Sequence, residues 1–439
     1  MANIIKGRPT KKFFIDMITR DISIEDAIID LIDNSIDGAN RINKKSYYGL
    51  SIDIIINQDE FIIKDNCGGF SLDNAVNYAF RFGRPDDAPL EKNTIGRFGI
   101  GMKRALFKMG KVFCVESRHG EDHFIVDVDV DKWNEKSDED STSWDFNYED
   151  CHDDERLKED GTFIRVKNLN EGVKEKFGDA AFISSMQESI RRMLNFSLEK
   201  GITIKLNDEK ISGTIIEILQ SDNVSPYIKC GEIQGVKFRI FAGLGDVGVT
   251  NKSGWYIYCN GRLVLEHDKT SVTGWGVNGI KQWHVEDVMF RGVVFMDTEE
   301  TINLPLTTTK RGVDASHPVY MHILYYMKDA MRQIIPYLSE IAKMGDEANG
   351  FREDLYKKEN KDSVVKLYEQ ALNSDFSQGF SSMSPDADII AEKLNTRRIS
   401  YSVPKKDAEK AKDHAEVDTF KELGEETFNY YMRQEGLAK

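Results

Sequence analysis

The stretch Ser23–Gly38, SIEDAIIDLIDNSIDG, decides how the rest of the chain is read. Ser23 followed three residues on by Asp26 resembles a capping box that opens a helix, and Gly38 offers a stop. Ile24, Ile28, Leu31 and Ser35 fall on one face, expected to be buried. Asp30, Asn34 and Asp37, at spacings of four and three, share another. Such a stripe of carboxylates and a carboxamide either faces solvent or meets a divalent cation with a polyphosphate beside it. Mg²⁺ suits the second reading, because it takes hard oxygen ligands and keeps several waters. The segment alone leaves both open.

Three further stretches extend the pattern. In Ile62–Phe70, IIKDNCGGF, a strand ends in Asp65 and two glycines precede a helix expected over Ser71–Arg81. Glycines there admit close approach of a ligand to the backbone, and an ionised Asp accepts from an exocyclic amine such as adenine's. On its own this stretch is also an ordinary Asx turn. In Thr94–Lys103, TIGRFGIGMK, the glycines Gly96, Gly99 and Gly101 lead into a helix expected over Met102–Met109. Amides at a helix N-terminus form an anion site, and Lys103 adds a point charge. Met102 stands where a Walker A loop needs Lys followed by Ser or Thr, and the G-x-x-G-x-G order is not the dinucleotide fingerprint. Gly161-Thr162 opens a last strand, to Val166.

Each piece is weak alone, but the order is specific. Thirty-one residues separate Asn34 from Asp65 and Asp65 from Gly96, and 61 separate Gly101 from Thr162. The set resembles the GHKL family of gyrase B subunits, heat-shock chaperones of the ninety-kilodalton class, histidine kinases and MutL. The resemblance covers roughly the first 210 residues and implies a Bergerat ATP-binding fold, an α/β (α+β) two-layer sandwich that takes ATP and Mg²⁺. It implies that Asn34, within the motif Asp30–Asp37, holds Mg²⁺ on the phosphates. Asp65, in the motif that ends at Gly69, would take the adenine amino group, with Thr162 supporting it through water. The amides around Gly96, Gly99, Ile100, Gly101 and Met102, with Lys103, would cradle the phosphates, and Phe80–Thr94 would be the ATP lid.

Two departures stand out. Asp30 occupies the position where hydrolysing members carry Glu as general base, and its arm is shorter by one carbon–carbon bond, about 1.5 Å. Slow or partner-dependent hydrolysis follows from that difference. Cys67 stands where the family's first glycine is common, and it is read either as a reactive thiol or as a small buried packing residue.

The remaining chain fits this frame. A length of 439 residues predicts two to three domains. The expected boundaries are 1–213 for the ATP-binding domain, 214–345 for a smaller transducer-like α/β domain, and 346–439 for a charged helical tail. Within 1–213 the helix Asp179–Lys200 is expected to be continuous. Tyr256–Val264, running through Asn260-Gly261-Arg262, resembles the transducer domain of MutL and MORC proteins. Asn303–Gly312, NLPLTTTKRG, looks like the loop whose lysine reaches the γ-phosphate, which would make Lys310 catalytic beside Asp30; a surface turn accounts for it equally. Gly243–Gly248 matches G-x-G-x-x-G, but strand-like residues follow it, so it is read as a loop between strands. His119 and His123 fall on a hairpin and are not read as a metal site. In Thr419–Gln434, Phe420, Phe428, Tyr430 and Tyr431 mark an amphipathic helix that packs on its own domain or on a partner. Arg397, Arg398, Lys405 and Lys406 are read as solvated.

Composition limits the partners. With 59 Lys and Arg against 74 Asp and Glu, the formal charge is −15, which argues against non-specific coating of nucleic acid. There is no apolar run of about 18 residues for a membrane helix and no apolar leader. The 5 scattered cysteines read as reduced, cytoplasmic thiols. Three functions remain open. One is a slow ATPase whose ATP-dependent homodimer clamps DNA or a protein. The second is a non-hydrolysing ATP switch with a separate protein effector. The third is an atypical protein kinase, although the short segment before Asp30 has no helical phosphoacceptor domain.

Overall fold

The computed structural model describes residues 9–83, 100–136, 143–152, 156–221, 224–246, 249–307, 312–358, 361–372, 377–385 and 399–437. Helix α1 spans Lys11–Arg20 and α2 spans Ile24–Ile42. Ser23 caps α2: its Oγ accepts from the Asp26 amide at 3.0 Å and donates to the Asp26 carboxylate at 2.8 Å. The helix continues four residues past Gly38, which is therefore not its stop. Gly38 answers to packing instead, since a Cβ there would collide with the Cys67 carbonyl oxygen. Nor is α2 divided into an apolar and a polar face. Asp30, Asp33 and Asp37 are buried along with Ile28, Ile29, Ile32 and Ile36, and Asn34 is exposed.

The first sheet has eight strands: β1 Ser51–Ile56, β2 Glu60–Asp65, β3 Gly110–His119, β4 Asp122–Asp129, β5 Glu149–Asp150, β6 Gly161–Leu169, β7 Thr203–Leu206 and β8 Glu209–Ile211. Their order is β5-β4-β3-β6-β2-β1-β7-β8, antiparallel except for the parallel pair β1–β7. Period-two alternation sends Ile52, Ile54, Ile56, Phe61 and Ile63 to one face. There they meet α2, helix α4 (Gly101–Met109) and helix α7 (Ala180–Met193) in one core that includes Ile28, Leu106 and Met186. On the other face Ile62 and Ile125 join a small cluster of Cys114, Leu157 and Phe163. One helical layer on one sheet is the two-layer α/β sandwich expected.

Two helical expectations differ in detail. Ser71–Arg81 is a short turn, α3 (Leu72–Asn74), that widens into a π-helical turn over Ala75–Ala79. The span Asp179–Lys200 breaks at Leu194, whose ψ of 16° leaves the helical region, so α7 is followed by a separate α8 (Asn195–Glu199). Asn195 is held from outside its helix, because its Oδ1 accepts from Tyr258 at 2.8 Å.

Beyond α8 a second sheet forms from β10 (Tyr227–Ile233), β11 (Val236–Leu244), β12 (Gly254–Cys259), β13 (Arg262–Asp268) and β14 (Phe290–Asp297). Its order is β13-β12-β14-β11-β10, with a sixth, edge strand added from later in the chain. Helix α9 (Pro318–Lys343) lies on one face, where Tyr326 stacks on Phe238 at 5.7 Å. The other face buries Phe241, Tyr258 and Phe295 against Phe196 of α8. Of Gly243–Gly248, Gly243 and Leu244 end β11, Gly245 and Asp246 follow it, and the last two residues are outside the described ones.

Residues 346–385 are not a tail. Helix α10 (Glu347–Lys358) leads to β15 (Lys361–Ser363), which pairs with β9 (Glu217–Leu219), and helix α11 (Val364–Ala371) buries Val364, Leu367 and Ala371 in the second core. The edge strand β16 (Ser377–Gln378) then joins β10. The compact unit runs from Met1 to Pro385, so the expected boundary at 346 moves to 386. Strands of two and three residues carry no readable alternation, which is why their sequence looks like loop. In the second unit, α12 (Lys405–His414) and α13 (Phe420–Gln434) form a pair. Thr419 and Glu422 make a reciprocal capping box at 3.2 and 2.9 Å, and Phe420, Phe428, Tyr430 and Tyr431 are exposed. Arg397 and Arg398 lie outside the described residues.

Candidate functional site

Helix α2 carries one side of the site. Asn34 is the exposed position in the middle of an otherwise buried run, and it has no hydrogen-bond partner among the described residues. Its neighbour Ser35, expected to serve the apolar core, donates instead to Asp65 Oδ2 at 2.6 Å. The two motifs are thus locked together at their centres.

Asp65 ends β2 and is buried. Its Oδ1 accepts from the Cys67 amide at 2.9 Å and from the Thr162 amide at 3.2 Å. Thr162 is its direct partner across β2 and β6. Burial pushes the Asp65 carboxyl up from its ordinary value, while the Ser35, Cys67 and Thr162 donors and the charge of Arg41 hold it down. Three donors occupy three of the four lone pairs, which leaves one, on Oδ2, for a further donor. Gly69 has a φ of 55°, and a Cβ there would strike the carbonyls of Arg118 and Gly161. Cys67 is buried and burial raises its thiol, which fits the packing reading and not a reactive thiolate.

The third side is the N-terminus of α4. The first intrahelical bond runs from the Arg104 amide to the Ile100 carbonyl at 2.8 Å, and among the described residues no side chain caps the helix. The amides of Gly101, Met102 and Lys103 therefore sit in the first turn, where a helix offers donors and a positive dipole end. A Cβ on Gly101 would lie 3.4 Å from Asp30 Oδ2, so this end abuts α2 one turn before Asn34. Gly96 and Gly99, and the lid beyond Gly83, lie outside the described residues. Lys103 is turned away from the role of a phosphate-binding charge: it is buried, its Nζ donates to the Ala79 carbonyl at 2.6 Å, and burial lowers its pKa to about 7. Asp37 is likewise buried, and its charge acts on the Tyr47 phenol.

Asp30 is engaged from two directions. Arg104 Nη2 donates to its Oδ2 at 2.8 Å, and Arg262 Nη1 lies 3.9 Å from its Oδ1. The same Arg262 nitrogen makes a short ion pair with Asp33. Arg262 belongs to β13 of the second sheet and is buried. Neither arginine nor Asp33 stands out from local spacing. A signal for Arg262 exists all the same, because an arginine beginning an apolar strand needs a buried acidic partner somewhere. Lys310 lies outside the described residues.

Residues 22–160 match the family model described as Histidine kinase-, DNA gyrase B-, and HSP90-like ATPase. This segment belongs to the GHKL superfamily. No curated protein matches the chain. The GHKL domain is an ATP-binding domain, and its match takes in α2, β2 and the start of α4 but stops before Thr162. Elsewhere, Glu116, His123 and Cys151 place possible ligand atoms within 4.8 Å of one another. Glu116 is already held there by Arg156 at 2.8 Å and by His123 at 3.0 Å, a buried charge network that explains the cluster without a metal. Among the described residues no helix is long and apolar enough to cross a membrane.

Proposed function

We propose that the GHKL domain binds ATP with Mg²⁺ and hydrolyses it slowly, and that the nucleotide gates homodimerisation or clamping on a partner or DNA. The observation that carries this reading is Asn34: one exposed carboxamide on a buried helix, one turn from the open end of α4 and beside the Ser35–Asp65 bond. Its amide oxygen is the hard ligand that Mg²⁺ takes, with phosphate oxygens and water completing the shell. Asp65 would accept the adenine amino group, Thr162 would support it through water, and the α4 amides would receive phosphate oxygens. Asp30 is the proposed general base, with Lys310 reaching the γ-phosphate.

A second reading, the ATP switch that scarcely hydrolyses, draws support from Asp30 itself. Its carboxylate is already engaged by the Arg104 guanidinium, which competes for it with an attacking water. Steady-state phosphate release with Mg·ATP separates the two. Turnover that falls about 10²–10⁴-fold in Asp30→Asn, with nucleotide still bound, supports hydrolysis through Asp30. Asn34-dependent binding with no phosphate release in the wild type supports the switch.

A further inference from the structure

A buried ion pair joins the second sheet to helix α2, and it reaches the site. Between β12 and β13 the chain turns through Asn260 and Gly261, with φ of 46° and 82°, a tight Asn-Gly hairpin turn that delivers Arg262 at the first position of β13. The Arg262 guanidinium pairs with Asp33 and lies beside Asp30, on successive turns of α2. Its Nε is buried and has no hydrogen-bond partner among the described residues. Asp30 has Arg104 as its other cation, from the helix whose N-terminus forms the anion side of the site. A cavity of about 640 Å³ borders the same turn, lined by Asn260, Gly261, Lys200, Arg239 and Asp297 and by Asn40 of α2.

We propose that Arg262 is the positioning residue through which the second domain sets Asp30, so that the site is complete only while the hairpin β12–β13 is docked on α2. The proposal rests on the ATP reading above. A charge arriving at Asn34 and the α4 amides shifts the balance of Asp30 between Arg104 and Arg262. By linkage, docking of the hairpin and binding of nucleotide then favour each other by the same factor. Removing Arg262 alone takes the ion-pair partner from buried Asp33, which damages folding whatever its role. The informative variant is therefore Arg262→Gln with Asp33→Asn, two amides that can hydrogen-bond each other.

The test uses the full chain with Mg²⁺ and a non-hydrolysable ATP analogue. Nucleotide affinity is measured first, and then amide hydrogen exchange of Gly254–Asp268 with and without the analogue. In the wild type the analogue is expected to slow exchange of the hairpin by about tenfold. The double variant is expected to lose that protection and, by the same linkage, to bind the analogue about tenfold more weakly than wild type, and Arg262→Lys with Asp33 intact to recover part of both. Protection that persists in the double variant, or a wild-type hairpin indifferent to bound nucleotide, overturns the proposal and leaves Arg262 a structural tie. A wild type that binds no analogue at all overturns the ATP reading itself and this proposal with it.

Discussion

At Asp65 the protein supplies three donors to one carboxylate: Ser35, Cys67 and Thr162. In the proposed ATP site the remaining lone pair would accept from the adenine amino group. Asp65→Asn keeps the shape but can turn an NH₂ towards that amine. ATP affinity is expected to fall about 10–100-fold, the worth of a hydrogen bond to a charged group. Preference for ATP over GTP should collapse with it, since guanine presents an acceptor where adenine presents a donor. Competition of the two nucleotides against a fluorescent analogue measures both. Gly38 tests packing. Gly38→Ala places a methyl group against the Cys67 carbonyl, two residues after Asp65, and is expected to cost about 1–3 kcal/mol in urea unfolding. An unchanged midpoint would show that the backbone at Cys67 yields.

Among elements, α4 is the one whose role was partly hidden. Its glycine-led start and its place in the order of motifs are legible because both are local. The direction of Lys103 is not, since nothing in GIGMK says that the side chain runs inward to the Ala79 carbonyl. The same limit hid the partners of α2. The period of the isoleucines shows a buried helix, but burial of Asp30 and Asp33 depends on Arg262, more than two hundred residues away. The Lys103 contact makes a pH prediction. Its folded pKa of about 7 lies below the ordinary lysine value, so the unfolded chain binds the extra proton between about pH 7 and 10.5. Wild-type stability should therefore rise with pH across that window relative to Lys103→Met, and the difference should level off below about pH 7. A difference that stays flat from pH 7 to 10 would mean that the ammonium remains charged in the folded protein.

For the whole molecule the question is which segments the second core needs. Sequence patterning alone placed 346–385 with the charged tail, because its strands are only two and three residues long and its one apolar helix is short. In the fold those residues seal two sheet edges. Serine and glutamine of β16 extend β10, β15 completes β9, and α11 inserts Leu367 and Val364 beside Phe295 and Tyr258. Full burial of each such aliphatic side chain stabilises by about 1.5–3 kcal/mol, and bare strand edges invite pairing with other chains. A chain ending at Pro385 is therefore expected to unfold cooperatively, with a thermal midpoint within a few degrees of the full chain. A chain ending at Gly345 should lose well over 5 kcal/mol, or aggregate, even though every residue of the GHKL motifs is intact. If the shorter chain instead folds and binds ATP with unchanged affinity, α11 is an accessory to the second sheet and the core closes without it.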